Sequence, residues 1–367
     1  MPAVSNAQWP MLQRTIEQTS VPPTPRPSWI ARAINKIFPG GLGLLQKGGH
    51  FPNGVYILAY HSVVDPDHRE PWEMCYRKGE TTVAQLRTQL AFMLDHMTPI
   101  ALSAAPGLWA DGGPKMPYFA ITFDDGFTNN RVHAHPVIQE LGLKPTLFVN
   151  ADFAARKQWF FRVLSAVLVH GGFSGRLVTL LRQKAPHHRW SDDGKILLNE
   201  MKNFYVVDIM EDVITETYWE CLGDPDGLNI HLDRDGALHL QRSGWEMGNH
   251  TRSHRLLSHQ TLPQITAAIE DNAAYWGQQG VPLIDFLAYP VGRAMDVNPA
   301  VNAWMQGNPA MHGIFANGGV NFSLRRTEWL RFSFGSLTSP EQLEKAVYAQ
   351  IQRTLTACHI LQEKSPP

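Results

Sequence analysis

Short apolar runs bounded by turn residues recur along the chain, and segments of helical period lie between several of them. Val55 to Tyr60, Tyr118 to Phe123, Thr146 to Asn150, Trp245 to Gly248, Phe286 to Tyr289 and Gly313 to Ala316 have the length and the β-branched or aromatic content of strands. Thr82 with Gln85 makes a capping-box pattern ahead of Val83, Leu86, Leu90, Met93 and Leu94. Leu262, Ile265, Ile269 and Trp276 describe another helix, stopped near Gly280, and Ser339-Pro340 opens a last one with Leu343, Val347, Ile351 and Leu355 on one stripe. Strands alternating with helices predict an α/β domain on a parallel sheet, either open or closed into a barrel.

The alternation is absent from two stretches. Pro22, Pro23, Pro25 and Pro27 break helix and sheet alike, so residues 1–50 read as a tail followed by a short helix, ahead of a domain at 51–367. The weakly amphipathic, basic segment Trp29 to Phe38, with Arg32 and Lys36, reads either as a helix packed on the domain or as a peripheral contact with a membrane surface. Residues at about 153–232 are too many for an ordinary loop, and predict a helical insertion capping one side of a barrel mouth. Its aromatics Trp159, Phe160 and Phe161 read as core rather than as a sugar platform, and His187 with His188 as a surface pair.

Several polar residues sit just past strand ends. His61, Asp124, Asp152, His250, Pro290 and Asn317 each follow a strand-like run, at the end of the sheet where β/α folds gather their active sites. Thr122-Phe123-Asp124-Asp125-Gly126 places two adjacent carboxylates at one such end, and His250-Thr251-Arg252-Ser253-His254 places two imidazoles at another. An Asp-Asp-Gly is by itself a common turn. Two imidazoles and a carboxylate, however, hold a divalent metal and leave positions open, as hydrolytic sites do. Thr251 stands where a zincin helix would carry its Glu base, so the base falls to Asp124 or Asp125.

Composition removes other chemistries. The 367 residues, 44% of them hydrophobic, suffice for one large domain or two smaller ones, and 32 Lys plus Arg against 33 Asp plus Glu give no global footprint for nucleic acid. Cys75, Cys221 and Cys358 are odd in number and far apart, which fits a reducing compartment better than a disulfide framework. No signal-peptide pattern and no apolar run long enough to span a bilayer is visible, so the expected location is the cytoplasm. Gly172-Phe173-Ser174-Gly175-Arg176 fails the serine-hydrolase elbow, because Arg176 stands at its final glycine.

The two paired motifs resemble those of the NodB-type polysaccharide deacetylases, carbohydrate esterase family four, whose first motifs read TFDDG and H-S/T-x-x-H. The resemblance covers roughly residues 55–150 and 233–335 and implies an incomplete (β/α) barrel. It makes Asp124 the catalytic base, and Asp125, His250 and His254 the ligands of one divalent ion, with zinc expected and cobalt, manganese or nickel as alternatives. Such an ion would activate water and polarise an acyl carbonyl. The third motif, R-x-P-x-G, appears as Ala288-Tyr289-Pro290-Val291-Gly292, so the arginine that contacts the base in the family is missing, and Arg293 and Arg331 are the candidates to replace it. Phe286 to Pro290 resembles the variant of exopolysaccharide and capsule deacetylases. Tyr289, Pro290, Val291, Gly292 and Arg331 become the expected substrate or oxyanion contacts, with the Val291 amide as donor. The Leu-x-x-His motif that carries the acid is not evident. His359 lies on the last helix and His312 precedes a strand, which leaves His61, in a Tyr-His context, as the proton donor.

The implied activity is metal-dependent removal of N-acetyl groups from an amino sugar in a polysaccharide, oligosaccharide or lipid-linked glycan. A sugar deformylase or O-deacetylase on the same metal, or a non-catalytic carbohydrate-binding relative, are the alternatives. Retention of Asp124 argues against the last, since a bare metal scaffold would not need it.

Overall fold

The computed structural model describes residues 51–363 except residues 78, 187, 204–206 and 317. The proline-rich tail, the segment Trp29 to Phe38, His187 and Asn317 therefore lie outside the described residues. Strands β1 (Gly54–Tyr60), β2 (Ser62–Val64), β3 (Glu80–Thr82), β4 (Thr98–Pro99), β5 (Pro117–Phe123), β6 (Thr146–Val149), β7 (Glu246–Asn249), β8 (Phe286–Ala288) and β9 (His312–Ile314) follow one another along the chain. The main sheet is parallel, in the order β1-β5-β6-β7-β8-β9 with β4 paired to β5, while β2 and β3 form a separate parallel pair. Each predicted strand is present, within a residue or two of its expected ends.

Alternate residues of the strands feed two different cores, as a period of two requires. Tyr56, Leu58, Phe119, Ile121, Leu147 and Val149 join the cluster that receives Leu86, Leu90 and Met93 from the helix Val83–His96. Val55, Ile57, Ala120, Phe148, Phe286 and Ile314 point the other way and meet Trp329. Both faces are thus dry, which is why these strands read as near-continuous apolar runs rather than alternating ones. The helix Val83–His96 starts as its sequence predicts, with Thr82 and Gln85 exchanging the reciprocal hydrogen bonds of a capping box.

The sheet curls into an incomplete barrel whose two ends are joined by irregular chain. Ile314 bridges Trp329 on one side and Leu58 bridges Phe332 on the other, both parallel. The Phe332 amide donates to the Ile57 carbonyl at 2.9 Å, and the Trp329 amide to Gly313 at 2.9 Å. Within the sheet, Gly248 lies opposite Phe148, where a Cβ would fall 2.4 Å from the ring, so only glycine lets the aromatic cross the strand there.

The insertion is helical, with Phe161–His170, Ser174–Lys184, Gly194–Asn203 and Val207–Leu222 as its main elements. Phe160, Phe161, Leu164, Leu168, Leu177 and Leu181 are buried in a core of its own, so the aromatics are core as expected, while Trp159 stays half-buried. That core is fused to the barrel through Trp72 and Phe127, stacked 5.5 Å apart. Among the described residues no helix is long and apolar enough to cross a membrane.

Candidate metal centre

Strand β5 delivers the two carboxylates and then turns sharply. The Asp124 amide donates to the Tyr60 carbonyl at 3.0 Å, continuing the pairing with β1, whereas Asp125 and Gly126 adopt φ of 70° and 63°. One residue continues the strand and the next reverses it, so the adjacent side chains take different jobs. Strand β7 delivers the imidazoles in a similar way, with Thr251 at φ 65° and His254 at φ 57°. Left-handed backbone at non-glycine residues is costly, and its concentration at Asp125, Thr251, His254 and Val291 marks a site that the surrounding structure holds in place.

Three buried asparagines do much of that holding. Asn150 Nδ2 donates to the carbonyls of His250 and Thr251 at 2.6 and 2.8 Å. Asn249 Oδ1 accepts from the Thr251 amide at 2.9 Å and from Asn272 Nδ2 at 2.9 Å. Asn272 in turn accepts from the Ala151 amide at 2.7 Å, which ties the ends of β6 and β7 together. A sequence signal for Asn272 exists: it falls on the apolar stripe of Ile265, Ile269 and Trp276, where only a satisfied polar group is tolerated.

Asp125, His250 and His254 come together with ligand atoms within 4.8 Å of one another, all three residues buried. His250 Nε2 and His254 Nε2 each lie 3.3 Å from Asp125 Oδ1, an oxygen that has no hydrogen-bond partner despite its burial. An orphaned carboxylate oxygen facing two imidazole nitrogens fits a divalent cation and is otherwise expensive. His250 Nδ1 lies 2.8 Å from the Ala288 carbonyl, which fixes the proton there and turns the Nε2 lone pair toward Asp125. Burial opposes ionisation of Asp125, yet His254 and His250 hold its carboxyl far below the usual range. Burial likewise pushes the His254 imidazole down to about 3, leaving it neutral. For His250 burial works downward, but the two aspartates outweigh it and raise the imidazole. Metal binding requires the ionised carboxylate and neutral imidazoles, so an arriving cation would take the place of the proton that the aspartates favour on His250.

Asp124 faces a different partner. Arg331 Nη1 and Nη2 donate to its two carboxylate oxygens at 2.7 and 2.8 Å, and Nη1 also reaches Thr122 Oγ1 at 3.0 Å. Arg331 is fully buried, and it lies on the segment that joins β9 to β1. Burial raises the Asp124 carboxyl, but Arg331, His250 and His61 overcome this and lower it. Arg293 plays no such part, because its guanidinium is spent on Asp296 at 2.8 Å. Arg331 therefore stands in for the arginine absent at Ala288. His61 Nε2 lies 3.7 Å from Asp124 Oδ2 with its side chain 38% exposed, so it borders both the carboxylate and solvent.

Other expected residues serve the scaffold. Tyr289 is buried, and its hydroxyl donates to the Thr327 carbonyl at 3.1 Å instead of lining the site. Gly292, at φ 68°, permits close packing, since a Cβ would fall 2.4 Å from the Ala316 amide nitrogen. Buried Pro290 precedes Val291, whose left-handed backbone at φ 61° leaves its amide without a hydrogen-bond partner among the described residues. Asp152 pairs with Arg252 at 2.8 Å, bracing the turn that carries His254. His312 stacks on Phe286 and accepts from the Trp329 indole at 3.1 Å, at the opposite end of its strand, so it is no candidate acid.

One contributor had no sequence signal. His231 is buried between Phe127 and Phe153, with Nδ1 2.9 Å from the Asp125 carbonyl, and so supports the left-handed turn of that ligand. It precedes a helix as an ordinary loop histidine would, and only the fold brings it under Asp125.

Comparisons with known proteins agree with this architecture. The family model described as Polysaccharide deacetylase matches residues 111–303, more than half of the chain. The structure of the Streptococcus pyogenes deacetylase PplD in complex with acetate superposes with a TM-score of 0.53 at 16% identity, covering 81% of this chain and 99% of that one. IcaB from Ammonifex degensii superposes with a TM-score of 0.50 at 14% identity, covering 82% of this chain and 98% of that one. At such identities the two solved structures share the fold. No curated protein matches the sequence.

Proposed function

The chain belongs to the polysaccharide deacetylase family, and we propose that it hydrolyses the N-acetyl group of an amino sugar in a polysaccharide, oligosaccharide or lipid-linked glycan. Asp125, His250 and His254 would hold one divalent ion, with zinc the expected metal. The observation that carries the reading is the pairing of this buried ligand cluster with a second, adjacent carboxylate that Arg331 grips at both oxygens.

Amide hydrolysis needs an activated water, relief of charge on the carbonyl oxygen, and a proton for the departing nitrogen. The ion, when bound, supplies Lewis acidity for the first two. Asp124 accepts the proton of the attacking water, and the Arg331 fork fixes its carboxylate for that transfer. The Val291 amide, which has no hydrogen-bond partner among the described residues, would donate to the developing oxyanion. His61, at 3.7 Å from Asp124, gives its proton to the amine.

Two measurements check this reading. The purified protein loaded with zinc should release acetate and an equal amount of free amine from N-acetylated oligosaccharides, and chelation should stop it. Absence of amine from every sugar in a broad panel, or full activity without metal, would remove the proposal. His61→Ala should lower kcat by about a hundredfold or more while leaving KM and metal content nearly unchanged. Near-normal turnover would mean that the proton comes from another group.

A further inference from the structure

One aromatic ring away from His254, a cation lacks a counter-charge among the described residues. Arg162 opens the insertion helix Phe161–His170 and is half-buried, with its guanidinium carbon 5.7 Å from the centroid of the Phe160 ring. That ring stands edge-on to His254 at 5.2 Å, so the guanidinium is one aromatic layer away from a metal ligand. Arg162 Nε is buried and has no hydrogen-bond partner. Tyr76, half-buried, packs against Phe160 from its own side at 6.0 Å. Burial pushes the Tyr76 phenol up to about 12, with Arg162 pulling the other way, which keeps its hydroxyl a proton donor at neutral pH.

Nearby arginines are treated differently by the fold. Arg252 is paired with Asp152 at 2.8 Å, Arg255 with Glu211 at 3.5 Å and Arg156 with Asp226 at 3.8 Å. Among the described residues Arg162 forms no ion pair. Partial removal of a guanidinium from water without a carboxylate costs free energy, and the cost is recovered when an anion arrives. Planar, forked donors favour carboxylate and phosphate over neutral groups.

We propose that Arg162, with the Tyr76 hydroxyl as a second donor, selects sugars that carry an anionic substituent, a carboxylate or a phosphate, close to the N-acetyl group. The inference rests on the deacetylase reading above and narrows its substrate class. The insertion would then contribute specificity as well as cover, because among its described residues this arginine is the one it sets beside Phe160 without a carboxylate partner.

The test compares three probes on the zinc-loaded protein: N-acetylglucosamine, its 3-phosphate, and N-acetylmuramic acid, whose lactyl group on the same O3 carries a carboxylate. The phosphate and carboxylate arms tell the two anion sources apart. For at least one of the charged probes kcat/KM should exceed that of the neutral sugar by about tenfold to a hundredfold, the range of a charge-assisted hydrogen bond. Arg162→Gln should bring the ratio to about one, and Arg162→Lys should keep part of it. Equal use of charged and neutral probes by the wild type, or an unchanged ratio in Arg162→Gln, overturns the proposal. Calorimetric binding of the same probes needs no turnover and separates the two readings. A charge preference in binding that vanishes in Arg162→Gln supports this inference even if no probe is hydrolysed, whereas acetate release without any charge preference refutes it and leaves the deacetylase reading standing.

Discussion

Asp124→Asn should cut kcat by about a hundredfold to ten-thousandfold while the protein keeps its metal. The exchange removes the basic oxygen but none of the three candidate ligand atoms of Asp125, His250 and His254. The neighbouring carboxylates are separable because Asp124 still follows the line of β5, whereas Asp125 has turned into left-handed backbone toward the imidazoles. Elemental analysis beside steady-state kinetics decides the matter. Retained activity, or loss of the ion, would mean that the two aspartates have exchanged roles. Some loss of stability should accompany the kinetic effect, since an amide offers Arg331 a single acceptor oxygen in place of two.

Arg331→Met should be the most destabilising single change at the site, by about 3–5 kcal/mol in denaturant unfolding, because it leaves a buried carboxylate without its counter-charge. Arg331 has no exposed surface and donates to Asp124, Thr122 and the Phe315 carbonyl at once, so no water is at hand to replace it. The pH dependence has a definite sign. Burial alone raises the Asp124 carboxyl, and Arg331 is the strongest influence lowering it. Removing the arginine therefore moves the carboxyl upward, and the acid limb of the activity profile should shift to higher pH. In the wild type the depressed carboxyl contributes stability above the ordinary carboxylate range, which is lost as pH falls through its lowered value. A variant with unaltered stability and an unmoved acid limb would show that the ion pair is incidental.

Charge-conserving replacement sharpens the second result. Arg331→Lys keeps the charge but offers Asp124 a point donor instead of a fork, so it should recover part of the stability and less of the rate. The difference between the two recoveries would report how much of the arginine's effect is orientation of the base rather than compensation of its charge.

Local pattern was enough to determine the strands, the capping box at Thr82 and the helix ended near Gly280, and to single out the candidate metal ligands, because each depends on neighbours a few residues apart. A strand end places its following side chains at the site whatever the rest of the chain does, so Asp124, Asp125, His250 and His61 were legible from their positions after β5, β7 and β1. Tertiary structure alone decided which guanidinium meets Asp124. Arg293 directly follows the third motif, yet a carboxylate three residues on captures it. Arg331 arrives from an irregular segment that is aligned only by its bridges to β9 and β1. The same holds for Tyr289, turned into the wall by the Thr327 carbonyl, for Asp152, drawn to Arg252, and for His231, brought beneath Asp125 by a contact 106 residues long. A side chain's partner is fixed by where the curled sheet and its cap bring distant segments together, and no periodicity in the chain encodes that distance.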